Sequence, residues 1–392
     1  MNILLSGGWG YGNLGDDAIL IVSLSLITKR FPSASIILLS YDPDRTPPLD
    51  NKNVIKVVPS AHRVLFNKSA FKQLGTYDEV KDIHLYLVRR IIDKIQRTFD
   101  NVYIKREIID VEKWNELENY FRVADLFIMS GGGYFNNWQE SFQARCTELE
   151  LAAQYNVPSY IVGQSLDSFK DFFKPRLRLV LSTCKKISVR DEVAVKVLKE
   201  LHIDCIYSPD LVLSHQEKRT VLQNEIVFIP ATLNPLNRVE VAKGITEISK
   251  KYNLKINLII TRLYIGDINE AQWFYTFFRN NNVVVSMNIP NNINDVIKNI
   301  SNKRYILSRN LHGLILGLVY GGEKLLCLNN QPKFISFMKQ IGQSEYIVDL
   351  NTISSSELVE IFGRLVFNES SLCEIKKELA NDVSNSFNNL FN

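Results

Sequence analysis

The feature that most constrains the fold is a repeated pattern: a short apolar run, then glycine or polar residues, then a helix-length stretch. The first instance is the run 3–6, a group of glycines, and the stretch 17–30. The run 35–40 is apolar without alternation, which is typical of a parallel strand covered on both faces. Runs of the same kind recur at 126–130, 159–162, 186–189, 203–207, 226–229, 255–260, 283–285, 305–308 and 325–328. This alternation predicts an α/β protein built on parallel sheets.

The length of the chain and its composition shifts predict the domain organisation. A chain of 392 residues exceeds what one hydrophobic core usually organises. A polar run near residues 214–224 separates two sets of strands, so we expect a Rossmann-like domain over 1–214 and a second over 215–360. The remainder, 361–392, is predicted to be a C-terminal helix with a frayed tail. Residues 47–119 break the alternation and are interpreted as an insertion in the first domain. Two doubly wound domains facing a cleft would bind ligands at the carboxyl ends of their strands.

Composition excludes several classes of function. The net charge of +4 is spread over the whole chain and does not indicate nucleic-acid binding. The five cysteines form no CxxC pair and no Cys/His cluster, so we expect reduced thiols and no metal site. The N-terminus lacks a basic region before its apolar run, and no apolar run reaches the roughly 18 residues of a membrane span. These features predict a cytoplasmic protein.

A glycine-rich segment follows the first predicted strand. Gly10, Gly12 and Gly15 have the GxGxxG spacing of dinucleotide sites, and Asp16 and Asp17 follow at the start of a helix. Two carboxylates stand where a pyrophosphate would need bare N–H groups, which weakens the dinucleotide interpretation. Two hypotheses stay open: the aspartates only cap the helix, or one of them faces the cleft and deprotonates a sugar hydroxyl.

Three further segments place polar groups at predicted strand ends. Gly131, Gly132 and Gly133 follow the run 126–130, and glycines there would let backbone N–H groups approach an anion, unless they only form a tight turn. Gln164 ends the next strand at the same rim. Arg190 ends the run 186–189 directly before Asp191, which fits either an anion site or a surface ion pair.

The last such segment lies in the second predicted domain. His312 begins an apolar helix, where the helix dipole lowers the pKa of an imidazole. Arg309 lies three residues earlier and Lys333 follows the next strand. The spacing predicts an anion site opposite the glycine loops.

These segments occur together in a known family. The sequence resembles the polysaccharide pyruvyl transferases in GYGNLGDDAIL, SGGGYF, SVRDEVAVKVLKELHI, SPDLVL with Asp210, and LHGLILGLVYGG with QPKF. The resemblance covers most of the chain outside 47–119. It implies a fold like that of GT-B glycosyltransferases and transfer of the enolpyruvyl group of phosphoenolpyruvate onto two sugar hydroxyls as a cyclic ketal, with release of phosphate. One position differs: Asn310 stands where the family usually has arginine, and Arg309 precedes it.

The resemblance also implies roles for the candidate residues. His312 would be the general acid, and Asp16 or Asp17 the base. The donor would be bound by Arg190, Arg309, Asn310, Lys333 and the glycines Gly131, Gly132 and Gly133. The acceptor would be bound by Gly12, Asn13, Tyr134 and Gln164. No metal or cofactor is expected besides phosphoenolpyruvate as substrate.

The acceptor and the surroundings of the protein are less constrained. The resemblance implies a sugar or a lipid-linked oligosaccharide as acceptor, contacted by the insertion 47–119. Basic and aromatic residues there fit either a peripheral contact with the inner membrane face or a solvated helix surface. Two alternative functions stay open: a GT-B glycosyltransferase that uses a nucleotide sugar, and a non-catalytic dinucleotide- or sugar-binding module. The sequence does not indicate an oligomeric state.

Overall fold

The predicted strands form two parallel sheets in a computed structural model that describes residues 1–66, 111–136, 139–166, 173–215, 222–233, 235–322, 324–369 and 371–392. The first sheet has the strand order β3-β2-β1-β4-β5-β6-β7. Its strands are β1 Asn2–Ser6, β2 Ser35–Ser40, β3 Val54–Pro59, β4 Leu126–Phe135, β5 Ser159–Leu166, β6 Lys186–Val189 and β7 Ile206–Tyr207. The second sheet has the order β10-β9-β8-β11-β12. Its strands are β8 Gln223–Ile229, β9 Lys255–Ile259, β10 Val285–Asn288, β11 Lys303–Ser308 and β12 Lys324–Cys327.

Helices cover both faces of each sheet, as the uninterrupted apolar strands require. Those associated with the first sheet are α1 Leu14–Arg30, α2 Ala61–Leu65, α3 Val111–Arg122, α4 Gln139–Gln154, α5 Lys174–Leu181 and α6 Glu192–Glu200. Those that follow are α7 Pro235–Tyr252, α8 Ile265–Asn280, α9 Ile293–Ile300, α10 Leu311–Tyr320, α11 Pro332–Gln340, α12 Ser355–Phe367 and α13 Cys373–Leu390. Short 3-10 turns lie at Pro43–Arg45, Leu211–Ser214 and Ser344–Tyr346. In the ranges given above, no helix is long and apolar enough to cross a membrane.

The interpretation of 47–119 as an insertion is wrong at both of its ends. Val54–Pro59 pairs in parallel with β2 and forms the edge of the first sheet. Val111–Arg122 is the helix that leads into β4. The edge strand carries exposed residues such as Lys56, so its sequence lacks the apolar run that marks a central strand. Residues 67–110 lie outside the described part of the chain.

The C-terminal segment differs from the frayed tail expected over 361–392. Helix α13 continues to Leu390 and buries Val383, Phe387 and Leu390. After it, the Phe391 ring lies 5.3 Å from Phe31 and 4.7 Å from Tyr160 between ring centroids. Because both of these residues belong to the first domain, the end of the chain packs back onto that domain.

The two domains also touch through their strand-end loops. The amide of Leu14 donates to the carbonyl of Thr261 at 2.9 Å, and the amide of Leu263 donates to the carbonyl of Gly12 at 2.7 Å. These two bonds flank an antiparallel bridge between Asn13 and Arg262. The carboxyl ends of the two sheets therefore face each other across a narrow cleft.

Candidate active site

The cleft between the two sheets contains a cavity of about 380 Å³. Residues from the carboxyl ends of strands in both sheets line it, among them Asp16, Tyr134 and Arg190 on one side and Arg309, His312 and Lys333 on the other. This is the edge at which parallel α/β sheets bind ligands. The structure thus brings together predicted site residues that are far apart in the sequence.

His312 lies in the first turn of α10, which Asn310 caps. The Asn310 side-chain oxygen accepts from the His312 amide at 3.3 Å, and its amide nitrogen donates to Thr261 Oγ1 at 2.8 Å. The imidazole is only 6% exposed and packs against the first turn of α1 in the other domain. A Cβ on Gly15 would lie 2.1 Å from His312 Nδ1, so only glycine fits at that position. Gly15 is therefore required by the contact between domains.

Arg190 connects the two domains at the base of the cavity. Its Nε donates to Ser165 Oγ at 2.7 Å, and its Nη1 donates to the carboxylate of Asp210, which is also buried. The same Nη1 lies 3.3 Å from His312 Nε2. Because a guanidinium can only donate, Nε2 accepts this bond, and the proton of the neutral imidazole lies on Nδ1.

The protonation of His312 differs from that of the predicted general acid. Burial, followed by the charge of Arg190, lowers the pKa of His312 to about 4, against the opposing effect of Asp210. The imidazole is thus neutral at pH 7 in the free site. Sequence patterns could indicate the helix dipole at His312 but not the packing of the first domain against its ring.

Asp16 and Asp17 occupy different environments. Asp16 lines the cavity, and its Oδ2 accepts from Asn13 Nδ2 at 2.9 Å. Burial raises its pKa to about 7, although Arg190 and Asn13 oppose this shift. Asp17 lies outside the cavity lining, and burial and the charge of Asp16 raise its pKa to about 7. Of the two candidates, Asp16 is the one that faces the cleft.

The wall formed by the second domain is cationic. Arg309 reaches the cavity, with its Nη1 donating to the Ala231 carbonyl at 3.0 Å, so its position one residue before Asn310 does not remove it from the site. Lys333 enters from the first turn of α11. Arg262 adds a third cation, whose Nε and Nη2 donate to the two carboxylate oxygens of Asp267 at 2.7 and 3.0 Å. Asn310 also lines the cavity while it caps α10.

The other predicted residues divide between the cavity and its support. Gly133, Tyr134 and Asn13 line the cavity, whereas Gly12, Gly131, Gly132 and Gln164 do not. The three glycines do not form a loop, because β4 continues through them to Phe135. A Cβ on Gly132 would overlap the Tyr134 ring at 2.2 Å. Gln164 is buried and donates to the Ser130 carbonyl at 2.6 Å within the sheet.

Several residues of the site had no assigned role in the sequence analysis. The sequence marks Asp210 only as part of the SPDLVL motif. It does not indicate the ion pair with Arg190, because that pair depends on two strands lying side by side. Three tyrosines, Tyr11, Tyr41 and Tyr264, form an aromatic wall of the cavity. Tyr11 and Tyr41 each follow a strand of the first sheet, which is the signal that could have indicated them. Within the described ranges, no group of three or more His, Cys, Asp or Glu residues is arranged to hold a metal ion.

Comparison with known proteins identifies a family and a fold. Residues 13–323 match the family model described as polysaccharide pyruvyl transferase. No curated protein matches the chain significantly in sequence.

Among solved structures, the chain is similar to UDP-N-acetylglucosamine 2-epimerase from Rickettsia bellii (TM-score 0.54, 10% identity, 100% of this chain and 96% of that one). It is also similar to UDP-GlcNAc 2-epimerase from Neisseria meningitidis bound to UDP-GlcNAc (TM-score 0.53, 13% identity, 100% of this chain and 98% of that one). A third similar structure is a glycosyltransferase from Rickettsia africae ESF-5 (TM-score 0.51, 12% identity, 100% of this chain and 94% of that one). At these identities the likeness shows the fold alone, and it confirms the predicted two-domain, GT-B-like α/β architecture.

Proposed function

This chain belongs to the polysaccharide pyruvyl transferase family, and from that premise we propose that it transfers the enolpyruvyl group of phosphoenolpyruvate onto two hydroxyls of a sugar. The sugar belongs to a bacterial surface polysaccharide or to its lipid-linked precursor. The product is a cyclic pyruvate ketal, and inorganic phosphate is released.

One observation carries the proposal: cations from both domains converge on a cavity that also holds two buried groups able to exchange protons. Arg190, Arg309 and Lys333 line that cavity with Asp16 and His312. Phosphoenolpyruvate carries a carboxylate and a phosphate, and such anions are bound most strongly by charge-assisted hydrogen bonds. A cleft between two domains would also exclude water and align donor and acceptor.

The reaction balances with the groups available. A proton is added to the methylene carbon of phosphoenolpyruvate, and positive charge develops on the neighbouring carbon. The first sugar hydroxyl attacks that carbon and loses its proton. Phosphate then leaves with the C–O bonding pair, and the second hydroxyl attacks the same carbon and loses its proton. The two hydroxyls release two protons in total. One of them restores the proton that the acid gave to the methylene carbon, and the other leaves with phosphate.

We infer the acid and the base from the protonation of the free site, in an order opposite to the one that the resemblance implied. Asp16 holds a proton up to about pH 7 because burial raises its pKa. His312 is unprotonated at Nε2, where Arg190 donates to it. Asp16 is therefore the proposed acid toward the methylene carbon, and His312 the proposed base toward the hydroxyl. An anionic donor raises the pKa of both groups further, which keeps the proton on Asp16 and makes His312 a stronger base.

The product assay tests the proposal. Purified protein is incubated with phosphoenolpyruvate and with galactosides, N-acetylglucosaminides and N-acetylmannosaminides, both soluble and lipid-linked. We expect phosphate release only when donor and acceptor are both present, together with the methyl singlet of a ketal in the proton NMR spectrum.

Two results would contradict the proposal. One is a lack of turnover across both soluble and lipid-linked acceptors. The other is an increase in Tm with UDP or GDP but none with phosphoenolpyruvate, which would favour a nucleotide-sugar glycosyltransferase.

A further inference from the structure

We propose that Asp267 is a positioning residue for the reaction, and that it holds Arg262 and Thr232 on the wall of the cavity where the donor anion binds. The inference rests on the proposed function and deepens it, because it assigns the group that orders the donor side of the cleft. None of the motifs singled out in the sequence includes these three residues.

Asp267 connects two segments that follow strands of the second sheet. It lies in the first turn of α8 and is only 4% exposed. Its Oδ2 accepts from Arg262 Nε at 2.7 Å, and its Oδ1 accepts from Arg262 Nη2 at 3.0 Å. Oδ1 also accepts from the Thr232 amide at 3.2 Å and from Thr232 Oγ1 at 3.3 Å. Because Arg262 and Thr232 both line the cavity, one buried carboxylate fixes two parts of its wall.

The pairing leaves part of the Arg262 guanidinium available to a ligand. The Arg262 side chain is 33% exposed, whereas that of Asp267 is buried. Asp267 uses Nε and Nη2, and among the residues that the structure describes none accepts from Nη1. A guanidinium held along one edge has a fixed plane, so its remaining N–H groups can bind a carboxylate or a phosphate without a further loss of rotamer freedom.

The charges around Arg262 favour an anion beside it. The pKa of Arg309 is lowered by burial, and Arg262 adds to this shift although Glu270 opposes it. The pKa of His312 is lowered first by burial and by Arg190, and Arg262 contributes in the same direction. Arg262 therefore lies close enough to other cationic groups to repel them, and a doubly charged anion bound among them would relieve that repulsion.

Arg262 also belongs to the contact between the domains. It forms the antiparallel bridge with Asn13, whose side chain donates to Asp16 Oδ2 at 2.9 Å. The preceding residue, Thr261, accepts through Oγ1 from Asn310, the cap of α10, at 2.8 Å. Fixing Arg262 therefore orders the donor wall together with the two segments that carry the proposed acid and the proposed base.

The test measures the affinity of the full chain for phosphoenolpyruvate and for inorganic phosphate by calorimetry. The variants are Asp267→Asn, Asp267→Glu, Arg262→Lys, Arg262→Ala, and Asp267→Asn combined with Arg262→Ala. Glu150→Gln is the matched control. Glu150 binds Nε and Nη2 of Arg176 at 2.8 Å each, in the same arrangement, and the pair lies outside the cavity.

The direction of the change separates positioning from charge. Asp267→Asn removes a negative charge, which by itself would tighten the binding of an anion. We expect the opposite, about tenfold weaker binding of phosphoenolpyruvate, because the Arg262 fork is no longer held. Arg262→Lys keeps the charge but not the fork and should weaken binding by a similar factor.

The remaining variants test whether the two residues act as one unit. Asp267→Glu keeps the carboxylate and should retain more affinity than Asp267→Asn. In the Arg262→Ala background, Asp267→Asn should cause no further weakening, because the group that it positions is absent. Glu150→Gln should bind both ligands as the wild type does.

Failure of the positioning role and failure of the proposed function are distinguishable. Unchanged or tighter binding by Asp267→Asn refutes the positioning role, as does an equal cost of this change with and without Arg262. If Asp267→Asn has a lowered Tm, wild-type affinity of Arg262→Lys refutes the role instead. If the wild type does not bind phosphoenolpyruvate, the proposed function is refuted, and the affinities for phosphate decide the positioning role alone. Binding of neither ligand refutes both.

Discussion

At the scale of single residues, burial sets the chemistry of the cleft. Asp16, Arg190, Asp210 and His312 are each less than one tenth exposed, and they belong to two domains. In such surroundings an ionised group is stable only beside an opposite charge, as Arg190 is beside Asp210. Burial, and next the guanidinium of Arg190 that the ring faces, lower the pKa of His312 and leave it neutral, although Asp210 opposes this shift. The same burial leaves Asp16 protonated near pH 7.

The first prediction concerns the imidazole. His312→Ala should lower turnover by at least about 10²-fold, because a positioned proton-transfer group contributes about 10² to 10⁴-fold. The measurement is phosphate release at saturating phosphoenolpyruvate. His202→Asn is the control, since His202 is exposed and has a positive φ of 56° that asparagine tolerates. Full turnover in His312→Ala, with an unaltered Tm, would show that the base is another group.

The second prediction is the pH dependence of kcat/KM. The pKa of His312 is lowered from 6.5 to about 4, so the base becomes available as the pH rises through 4. The pKa of Asp16 is raised from 3.8 to about 7, so the acid loses its proton as the pH rises through 7. We expect a bell-shaped profile with limbs near these values. Activity that increases through pH 7 to a plateau at pH 9 would contradict the assignment of Asp16 as the acid.

At the scale of the secondary-structure elements, one buried ion pair organises the strand ends of the first sheet. Arg145 on α4 is fully buried and donates to Glu148 Oε2 at 2.7 Å and to the Gly7 carbonyl at 2.9 Å. Glu148 in turn accepts from the amide of Ala61 at 3.2 Å. The guanidinium also lies 5.0 Å from the ring of Tyr41 and 5.1 Å from that of Tyr134. The pair thus contacts the segments that follow β1, β2 and β3 and the end of β4. Of these, the segments after β1 and β2 and the end of β4 line the cavity.

The third prediction follows from that ion pair. Arg145→Met should lower the free energy of unfolding by about 3 to 5 kcal/mol, because it leaves the Glu148 carboxylate buried without its partner. Adding Glu148→Gln should recover part of the loss. Urea unfolding measures both variants. Arg364→Met, which breaks an exposed ion pair with Glu360, is the control and should change stability by less than about 1 kcal/mol. An Arg145→Met effect as small as the control would contradict this role.

The elements also show what a sequence can predict and what it cannot. Central strands such as Ser35–Ser40 and Lys186–Val189 have the bounds that their apolar runs predict, because local pattern and burial coincide there. The apolar pattern does not predict the edge strand Val54–Pro59, because only one of its six residues is buried and two are exposed. Glycines 131–133 were interpreted as a loop because a local pattern cannot show that β5 continues to pair with them. Asp210 and the protonation of His312 depend on contacts between distant elements, which no local pattern contains.

At the scale of the whole molecule, contacts between the two domains lie both at the cavity and at the opposite ends of the strands. The strand-end loops pair through Asn13 and Arg262, the His312 ring packs on Gly15, and the segment after α13 packs against Phe31 and Tyr160. The proposed acid comes from the first domain and the proposed base from the second. The relative position of the domains therefore determines whether the two groups can act on one ligand.

The fourth prediction tests the contact between domains. Gly15→Ala places a methyl group 2.1 Å from His312 Nδ1, so it should lower stability by about 1 to 3 kcal/mol, as overpacking does, and reduce turnover. In a His312→Ala background the same change should cost much less, because the overlapping ring is absent. Thermal unfolding of the single and double variants measures the coupling. An equal cost of Gly15→Ala in both backgrounds would show that the two residues do not pack together.

The most direct test of the central claim is calorimetric titration of the full chain with phosphoenolpyruvate. We predict saturable binding that Arg190→Ala and Lys333→Ala each weaken by about tenfold or more, since each removes a charge-assisted contact from a different domain. UDP should bind far more weakly than phosphoenolpyruvate. Tight binding of UDP without binding of phosphoenolpyruvate, or binding of phosphoenolpyruvate that neither variant alters, would contradict the claim that this cleft is the donor site.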